Sequence, residues 1–229
     1  MMILNRQCSR MTLLLLGVVL LLTSSGMGSV KLYEDFDLVL EMDSGYSVDI
    51  ITGMFGITID QHLPQLDIYL VTTPDSANLD LLAEQIDEML EVQFCHPNYL
   101  IDPLQPVQGS LPISDEFFAG FYEEQEAAVL LNLAVVHELS TGAGIKVAIL
   151  DGGVNYDHPA LLGSVVSGYD YVDEEPDANG EPGGSGYGHG TFMAGVVHLV
   201  APDANIWSYR VADTSGEGNG YVIAEAMVQ

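Results

Sequence analysis

The stretch Gly144-Ile-Lys-Val-Ala-Ile-Leu-Asp151-Gly-Gly decides the fold, because it joins an apolar run to a carboxylate and two glycines. Residues 145–150 are almost continuously apolar, which predicts a strand buried on both faces of a parallel sheet. In open α/β sheets, functional clefts lie beyond the carboxyl ends of the strands. We therefore expect Asp151 at the lip of such a cleft.

A histidine flanked by glycines follows in the run Gly188-His189-Gly190-Thr191. Residues 192–200 are apolar with small side chains, which predicts a buried helix that starts next to His189. The positive end of a helix dipole favours a neutral imidazole, and a neutral imidazole oriented by a carboxylate can act as a general base. Asp151 and His189 are therefore the candidate catalytic pair, although each alone is more often a turn cap or a metal ligand.

The segments around these two residues resemble the motifs of the subtilisin-like serine proteases. Residues 151–159 are similar to the aspartate motif and residues 189–195 to the histidine motif, in the order Asp, His, Ser of that family. The resemblance implies an α/β fold and acyl transfer by a Ser/His/Asp triad. The serine motif, Gly-Thr-Ser-Met-Ala, is absent before Gln229. Residues 126–229 are thus expected to be the N-terminal part of a catalytic domain, inactive by itself.

The same resemblance assigns substrate binding to a glycine-rich segment near the end of the chain. In the family, the equivalent segment pairs with the substrate backbone as an extra strand, which implicates Gly216, Glu217 and Gly218. The side chain of Glu217 is expected to disfavour acidic substrate residues nearby. A plain loop is the alternative.

No cofactor is expected, with calcium as an alternative at one loop. Ala160 stands where many family members have an aspartate that serves a calcium site, so that site is not expected here. The loop over residues 173–181 is rich in carboxylates, the ligands that calcium prefers, but its spacing is not that of an EF-hand. A solvated acidic loop is the favoured interpretation.

The beginning of the chain has the layout of a secretory signal peptide. Residues 1–28 combine two arginines, an apolar run over residues 13–22 and a small-residue exit. The run is shorter than the roughly 20 residues of a membrane span. We predict secretion without a stable membrane anchor, and an uncleaved anchor is the alternative.

Residues 37–102 predict a small separate domain. Two strand-like segments, a stretch from Leu79 to Leu90 with apolar residues at helical spacing and an extended segment indicate an α+β (ferredoxin-like) sandwich. Beside the later motifs, this domain resembles the propeptide of subtilisin-like proteases, and residues 91–99 are similar to the family's closing strand, which ends in Pro-Asn-Tyr. An unrelated accessory domain is the alternative. The resemblance implies a domain that chaperones and inhibits its own catalytic domain. Residues 103–125, with prolines and no periodicity, predict a linker and leading arm, where processing is expected.

The composition excludes several partners. Five basic residues against 33 acidic ones give a net charge of −28, which repels nucleic acid and anionic membranes. Cys95 is the only cysteine beyond the signal segment, so we expect a buried, inert thiol and no internal disulfide.

These observations favour a secreted serine endopeptidase precursor that acts on proteins or peptides. Two other classes stay open. The first is a non-catalytic inhibitory protein whose propeptide-like domain binds a protease cleft. The second is a metal-binding α/β protein that uses Asp151 and His189 as ligands.

Overall fold

The computed structural model describes residues 33–74, 78–101, 125–184 and 186–228. The predicted signal peptide and almost all of the predicted linker lie outside these residues. Within them, no helix has both the length and the apolar character needed to cross a membrane.

The first half of the described chain is an antiparallel sheet with two helices. Its elements are, in order, β1 (Tyr33–Met42), α1 (Asp49–Phe55), β2 (Thr58–Leu63), β3 (Ile68–Thr72), α2 (Leu79–Asp87) and β4 (Val92–Ile101). The strands lie in the order β2-β3-β1-β4, and every neighbouring pair is antiparallel. The predicted strands and the predicted helix after residue 78 are thereby confirmed.

Strand β1 has apolar residues on both of its faces, which gives this sheet two packed surfaces. Leu38 and Leu40 belong to a core that includes Ile51 of α1 and Ile86 of α2. Val39, between them, points to the opposite face and belongs to a separate apolar cluster. The two helices therefore cover one face of the sheet, and the other face is covered by a later part of the chain.

The second half contains a parallel sheet. Its elements are α3 (Glu126–Leu130), α4 (Leu133–His137), β5 (Lys146–Asp151), β6 (Val165–Asp170), α5 (His189–Val200), β7 (Asn205–Arg210), β8 (Gly218–Asn219) and α6 (Gly220–Met227). The strands lie in the order β5-β7-β6, and both pairs are parallel. The expected α/β architecture with a parallel sheet is present.

Two burial predictions for this half are wrong. In β5 only Ile149 is buried, and Lys146 and Ala148, whose side chains point to the opposite face, are exposed. In α5, Gly190 and Ala194 are buried, whereas Phe192 is 66% exposed. Apolar runs predicted the elements correctly, but each element is covered on one side only in the described chain.

Helix α6 covers the second face of the antiparallel sheet. Tyr221 is 2% exposed and Ala224 is 5% exposed, and both belong to one cluster with Val39, Leu70 and Ile68. Strand β8, directly before this helix, extends the same sheet beside β4. The end of the chain therefore packs on the small sheet at its edge and on its face.

Candidate active site

Asp151 and His189 lie side by side at the carboxyl end of the parallel sheet. Asp151 is the last residue of β5, and His189 is the first residue of α5. The Nδ1 atom of His189 lies 2.6 Å from the Oδ2 atom of Asp151. Because a carboxylate only accepts hydrogen bonds, the proton of this contact lies on Nδ1. The pair has the geometry of a carboxylate that orients an imidazole.

The two partners differ in how firmly they are held. The side chain of Asp151 is 16% exposed, and its Oδ1 atom accepts a hydrogen bond from the Gly152 amide at 2.8 Å. Its backbone carbonyl accepts another from the Val211 amide at 2.9 Å. The imidazole of His189 is 42% exposed. The carboxylate is therefore fixed on both oxygens, while Nε2 is the ring nitrogen left for proton transfer.

A glycine allows α5 to approach β5 this closely. A Cβ atom added at Gly190 would lie 2.3 Å from the carbonyl oxygen of Gly153 and 3.1 Å from the Cβ atom of Asp151. A larger residue at this position would push the start of α5 away from the carboxylate, because the nearest obstacle is backbone. The glycine after the histidine is thus required by the geometry of the pair.

The described residues do not supply a nucleophile to this pair. Among the residues that the structure describes, no serine, threonine or cysteine side chain forms a hydrogen bond with His189. An imidazole with an orienting carboxylate is chemically able to supply two of the three groups that acyl transfer by a serine requires.

Residues 142–229 match the model of the subtilase family, Peptidase_S8. This part of the chain resembles the subtilase family. Thermitase from Thermoactinomyces vulgaris is 38% identical over 100 residues, which are 39% of this chain and 34% of thermitase. The minor extracellular protease Vpr from Bacillus subtilis is 44% identical over 90 residues, which are 34% of this chain and 11% of Vpr. The predicted resemblance to subtilisin-like serine proteases is confirmed.

The fold has a counterpart among solved structures. Fervidolysin from Fervidobacterium pennivorans, described as a keratinolytic enzyme related to subtilisin, superposes with a TM-score of 0.59 at 22% identity. The match covers 89% of this chain and 35% of fervidolysin, so it includes both sheets. At this identity the likeness concerns the fold. The chain spans about a third of the length of thermitase.

The segment predicted to bind substrate is paired with the small sheet. Gly218 and Asn219 form β8, which runs antiparallel to Ile101 and Leu100 at the end of β4. Gly216 is buried, and Glu217 is exposed. This glycine-rich segment is therefore a strand edge that pairs with a neighbouring backbone, that of the chain's own first half.

A single carboxylate shapes this edge. The Oδ1 atom of Asp213 accepts hydrogen bonds from the amide and hydroxyl of Ser215 at 2.8 and 2.6 Å and from the amide of Glu217 at 2.9 Å. Burial raises the pKa of Asp213, but these hydrogen bonds outweigh burial and lower the pKa overall. The Gly186 amide donates to the carbonyl of Thr214, and the Gly186 carbonyl accepts from the His189 amide, so the edge is connected to the Asp151–His189 pair.

A buried asparagine joins the small sheet to the start of α6. Asn98 is 1% exposed, and its Oδ1 atom accepts a hydrogen bond from the Tyr221 amide at 3.2 Å. Asn219 caps the same helix by accepting from the Val222 amide at 3.0 Å. Two of the four amides that a helix start leaves without intrahelical partners are thus satisfied by asparagines, one of them from the other half of the chain.

The acidic loop considered for calcium is organised by an arginine. Arg210 is 2% exposed, and its guanidinium contacts Asp170 at 2.6 Å, Glu181 at 3.2 Å and the carboxylate of Asp173. Within the described ranges, no group of three or more His, Cys, Asp or Glu side chains is arranged to hold a metal ion. Calcium requires six to eight oxygen ligands. Two of the loop's carboxylates, together with Asp170 at the end of β6, are instead directed at a cation that the protein itself supplies.

The sequence predicted the contact between Asp151 and His189, but not the polar contacts of Arg210, Asp213 and Asn98. One signal was present for Arg210, because it is one of only five basic residues in a chain with 33 acidic ones. The other two are polar residues in loops and at strand ends, where their partners cannot be known before the fold is known.

Proposed function

We propose that the protein is the N-terminal part of a secreted serine endopeptidase precursor that hydrolyses peptide bonds of proteins or peptides. The observation that carries this proposal is the 2.6 Å hydrogen bond between His189 and Asp151 at the carboxyl end of the parallel sheet. The serine is contributed by residues that follow residue 229 in the full-length protein. The Vpr relative is named an extracellular protease, in agreement with secretion through residues 1–28.

The proposed chemistry assigns one role to each member of the pair. A serine hydroxyl next to Nε2 of His189 gives its proton to the imidazole as it attacks a peptide carbonyl. The imidazolium then passes this proton to the leaving amine. Asp151 keeps the proton of the imidazole on Nδ1 and stabilises the imidazolium, because its carboxylate is fixed by Gly152 on the other oxygen.

The first half of the chain is proposed to be a ferredoxin-like propeptide that inhibits the catalytic domain. The order of elements from β1 to β4 and the strand order β2-β3-β1-β4 are those of the split β-α-β arrangement. The end of β4 occupies the edge formed by Gly218 and Asn219, where a substrate backbone would pair. Substrate access then requires cleavage in residues 103–125 and departure of β4.

The test is expression of the chain extended through the coding sequence after residue 229. The extended protein should be labelled by a serine-directed fluorophosphonate probe and should cleave casein. Variants His189→Ala and Asp151→Asn should fold and lose both signals. Labelling that is equal in the His189→Ala variant, or an extended protein without any labelled serine, would contradict the proposal.

A second candidate function is a non-catalytic inhibitor of other proteases. The pairing of β4 with the edge at β8 favours it. If it is correct, the purified chain of 229 residues inhibits a subtilisin-type protease at micromolar concentration. The variant Asn98→Ala, which loosens the contact between β4 and α6, should change that inhibition. No inhibition by either protein would remove this candidate.

A further inference from the structure

The loop between β6 and α5 is attached to the sheet by Arg210. Three carboxylates contact Arg210. Asp170 is 1% exposed, whereas the side chains of Asp173 and Glu181 are about half exposed. The other oxygen of Asp170 accepts hydrogen bonds from the amides of Val172 and Asp173. Burial lowers the pKa of Arg210, but the hydrogen bonds with Asp170 and Asp173 outweigh burial and raise it. The guanidinium is therefore a permanent charge at the base of the loop.

The middle of this loop is anchored at Ala178, which is 0% exposed. Its amide donates to the hydroxyl of Ser167 at 3.1 Å, and its carbonyl accepts from the hydroxyl of Ser208 at 2.8 Å. The same carbonyl accepts from the amide of Val154 at 3.1 Å. Ala178 thus links strands β6 and β7 to the turn that follows Asp151.

This turn lies between the loop and the catalytic helix. A Cβ atom at Gly153 would lie 2.5 Å from the carbonyl oxygen of Asn179, so loop and turn are in direct backbone contact. On its other side, the carbonyl oxygen of Gly153 faces Gly190 of α5. A displacement of the loop would therefore change the spacing between Asp151 and the start of α5.

We propose that Arg210 is a positioning residue that acts as an internal cation for the acidic loop and, with Ser208, holds the hydrogen bond between Asp151 and His189. The role does not involve contact with substrate. It also makes the order of the loop independent of calcium, because the guanidinium takes the place among the carboxylates that a divalent cation would need. The inference rests on the proposed function only in calling the pair catalytic.

The experiment uses the purified 229-residue chain and two direct readouts. Proton NMR monitors the downfield resonance of the His189 Nδ1 proton, which reports the bond to Asp151. Amide hydrogen exchange monitors Ala178 and Val154, which report the loop anchor. Neither readout requires a serine nucleophile, so failure here and failure of the proposed protease activity are distinguishable.

Three variants separate positioning from general destabilisation. Arg210→Met removes the internal cation, and we expect exchange at Ala178 and Val154 to accelerate by roughly a hundredfold, with loss of the Nδ1 resonance. Ser208→Ala removes only one hydroxyl, and we expect a roughly two- to tenfold acceleration at the same amides. Lys146→Met is the matched control, because Lys146 is an exposed cation at the other end of the sheet, 5.7 Å from the Trp207 ring centroid. It should leave both readouts unchanged.

The outcomes decide the proposal even if Arg210→Met does not fold, since Ser208→Ala then carries the test. A folded Arg210→Met or Ser208→Ala protein with wild-type exchange and an intact Nδ1 resonance would overturn the positioning role. Addition of EDTA or of calcium should not change exchange at Ala178 in the unmodified chain. A calcium-dependent protection of that amide would overturn the internal-cation role.

Discussion

The hydrogen bond from the Tyr221 amide to Asn98 allows the contact between the two halves of the chain to be tested by a single substitution. Asn98→Ala removes the acceptor and leaves the Tyr221 amide without its partner at a site where both residues are almost fully buried. An unsatisfied buried amide costs about 1–3 kcal/mol, and loss of a helix cap costs about 0.5–2 kcal/mol. These are two estimates of one effect, so we expect a loss of about 2 kcal/mol, a roughly thirtyfold change in the unfolding equilibrium.

The assay is equilibrium unfolding in urea, combined with hydrogen exchange at the Tyr221 amide. Asn78→Ala is the matched control, because Asn78 is an exposed asparagine at the start of α2 that makes no side-chain cap hydrogen bond. It should change the unfolding free energy by less than about 0.5 kcal/mol. Asn98→Asp retains an acceptor oxygen and should recover protection at Tyr221. An Asn98→Ala protein as stable as the Asn78→Ala protein, with unchanged exchange at Tyr221, would refute the reasoning.

Three further predictions concern single titratable groups. In the extended, serine-bearing protein, Asp151→Asn should lower kcat by about 10⁴-fold, because the imidazole loses its orienting carboxylate. In a casein assay, this loss should be smaller than the loss caused by His189→Ala. Full activity of the Asp151→Asn variant would contradict the prediction. Because the folded-state pKa of Asp213 is depressed, its contribution to stability is complete above roughly pH 5 and is lost as the pH falls through that lowered pKa. The stability difference between wild type and Asp213→Asn should therefore shrink toward pH 2 in urea titrations, and a difference that grows on acidification would be evidence against it. Cys95 should resist iodoacetamide in the folded chain and react in urea, because burial and the nearby Asp87 raise the pKa of its thiol to about 12. Mass spectrometry would detect the adduct, and the variant Cys8→Ser leaves Cys95 as the single cysteine.

The elements that carry Asp151 and His189 could be predicted because their signals are local in the sequence. The apolar run that ends at Asp151 specifies a strand and the position of its carboxylate, and glycines on both sides of His189 specify a tight helix start. The strand and helix were found within a few residues of their predicted bounds. The resemblance of both segments to the motifs of subtilisin-like proteases then predicted that the two segments lie close together in the fold.

Burial and long-range polar contacts could not be predicted in the same way. The exposure of Phe192 depends on what packs on the outer face of α5, and the apolar pattern carries no information about that. Arg210 finds its carboxylates in a loop that precedes it by about 30 residues, as Glu181 illustrates. Asn98 and Tyr221 are 123 residues apart in the chain. Contacts of this kind depend on the topology, and no single segment of the sequence determines the topology.

The absence of a side chain at Gly190 has a consequence for tracing descent among sequences that resemble the subtilases. Gene copies are commonly judged inactive when a catalytic aspartate, histidine or serine has been replaced. Here an alanine at position 190 would place a methyl group 2.3 Å from the Gly153 carbonyl oxygen while leaving every one of those residues in place. Pseudoenzymes could therefore arise by the gain of one carbon atom, and a census of decayed copies should inspect this position as well.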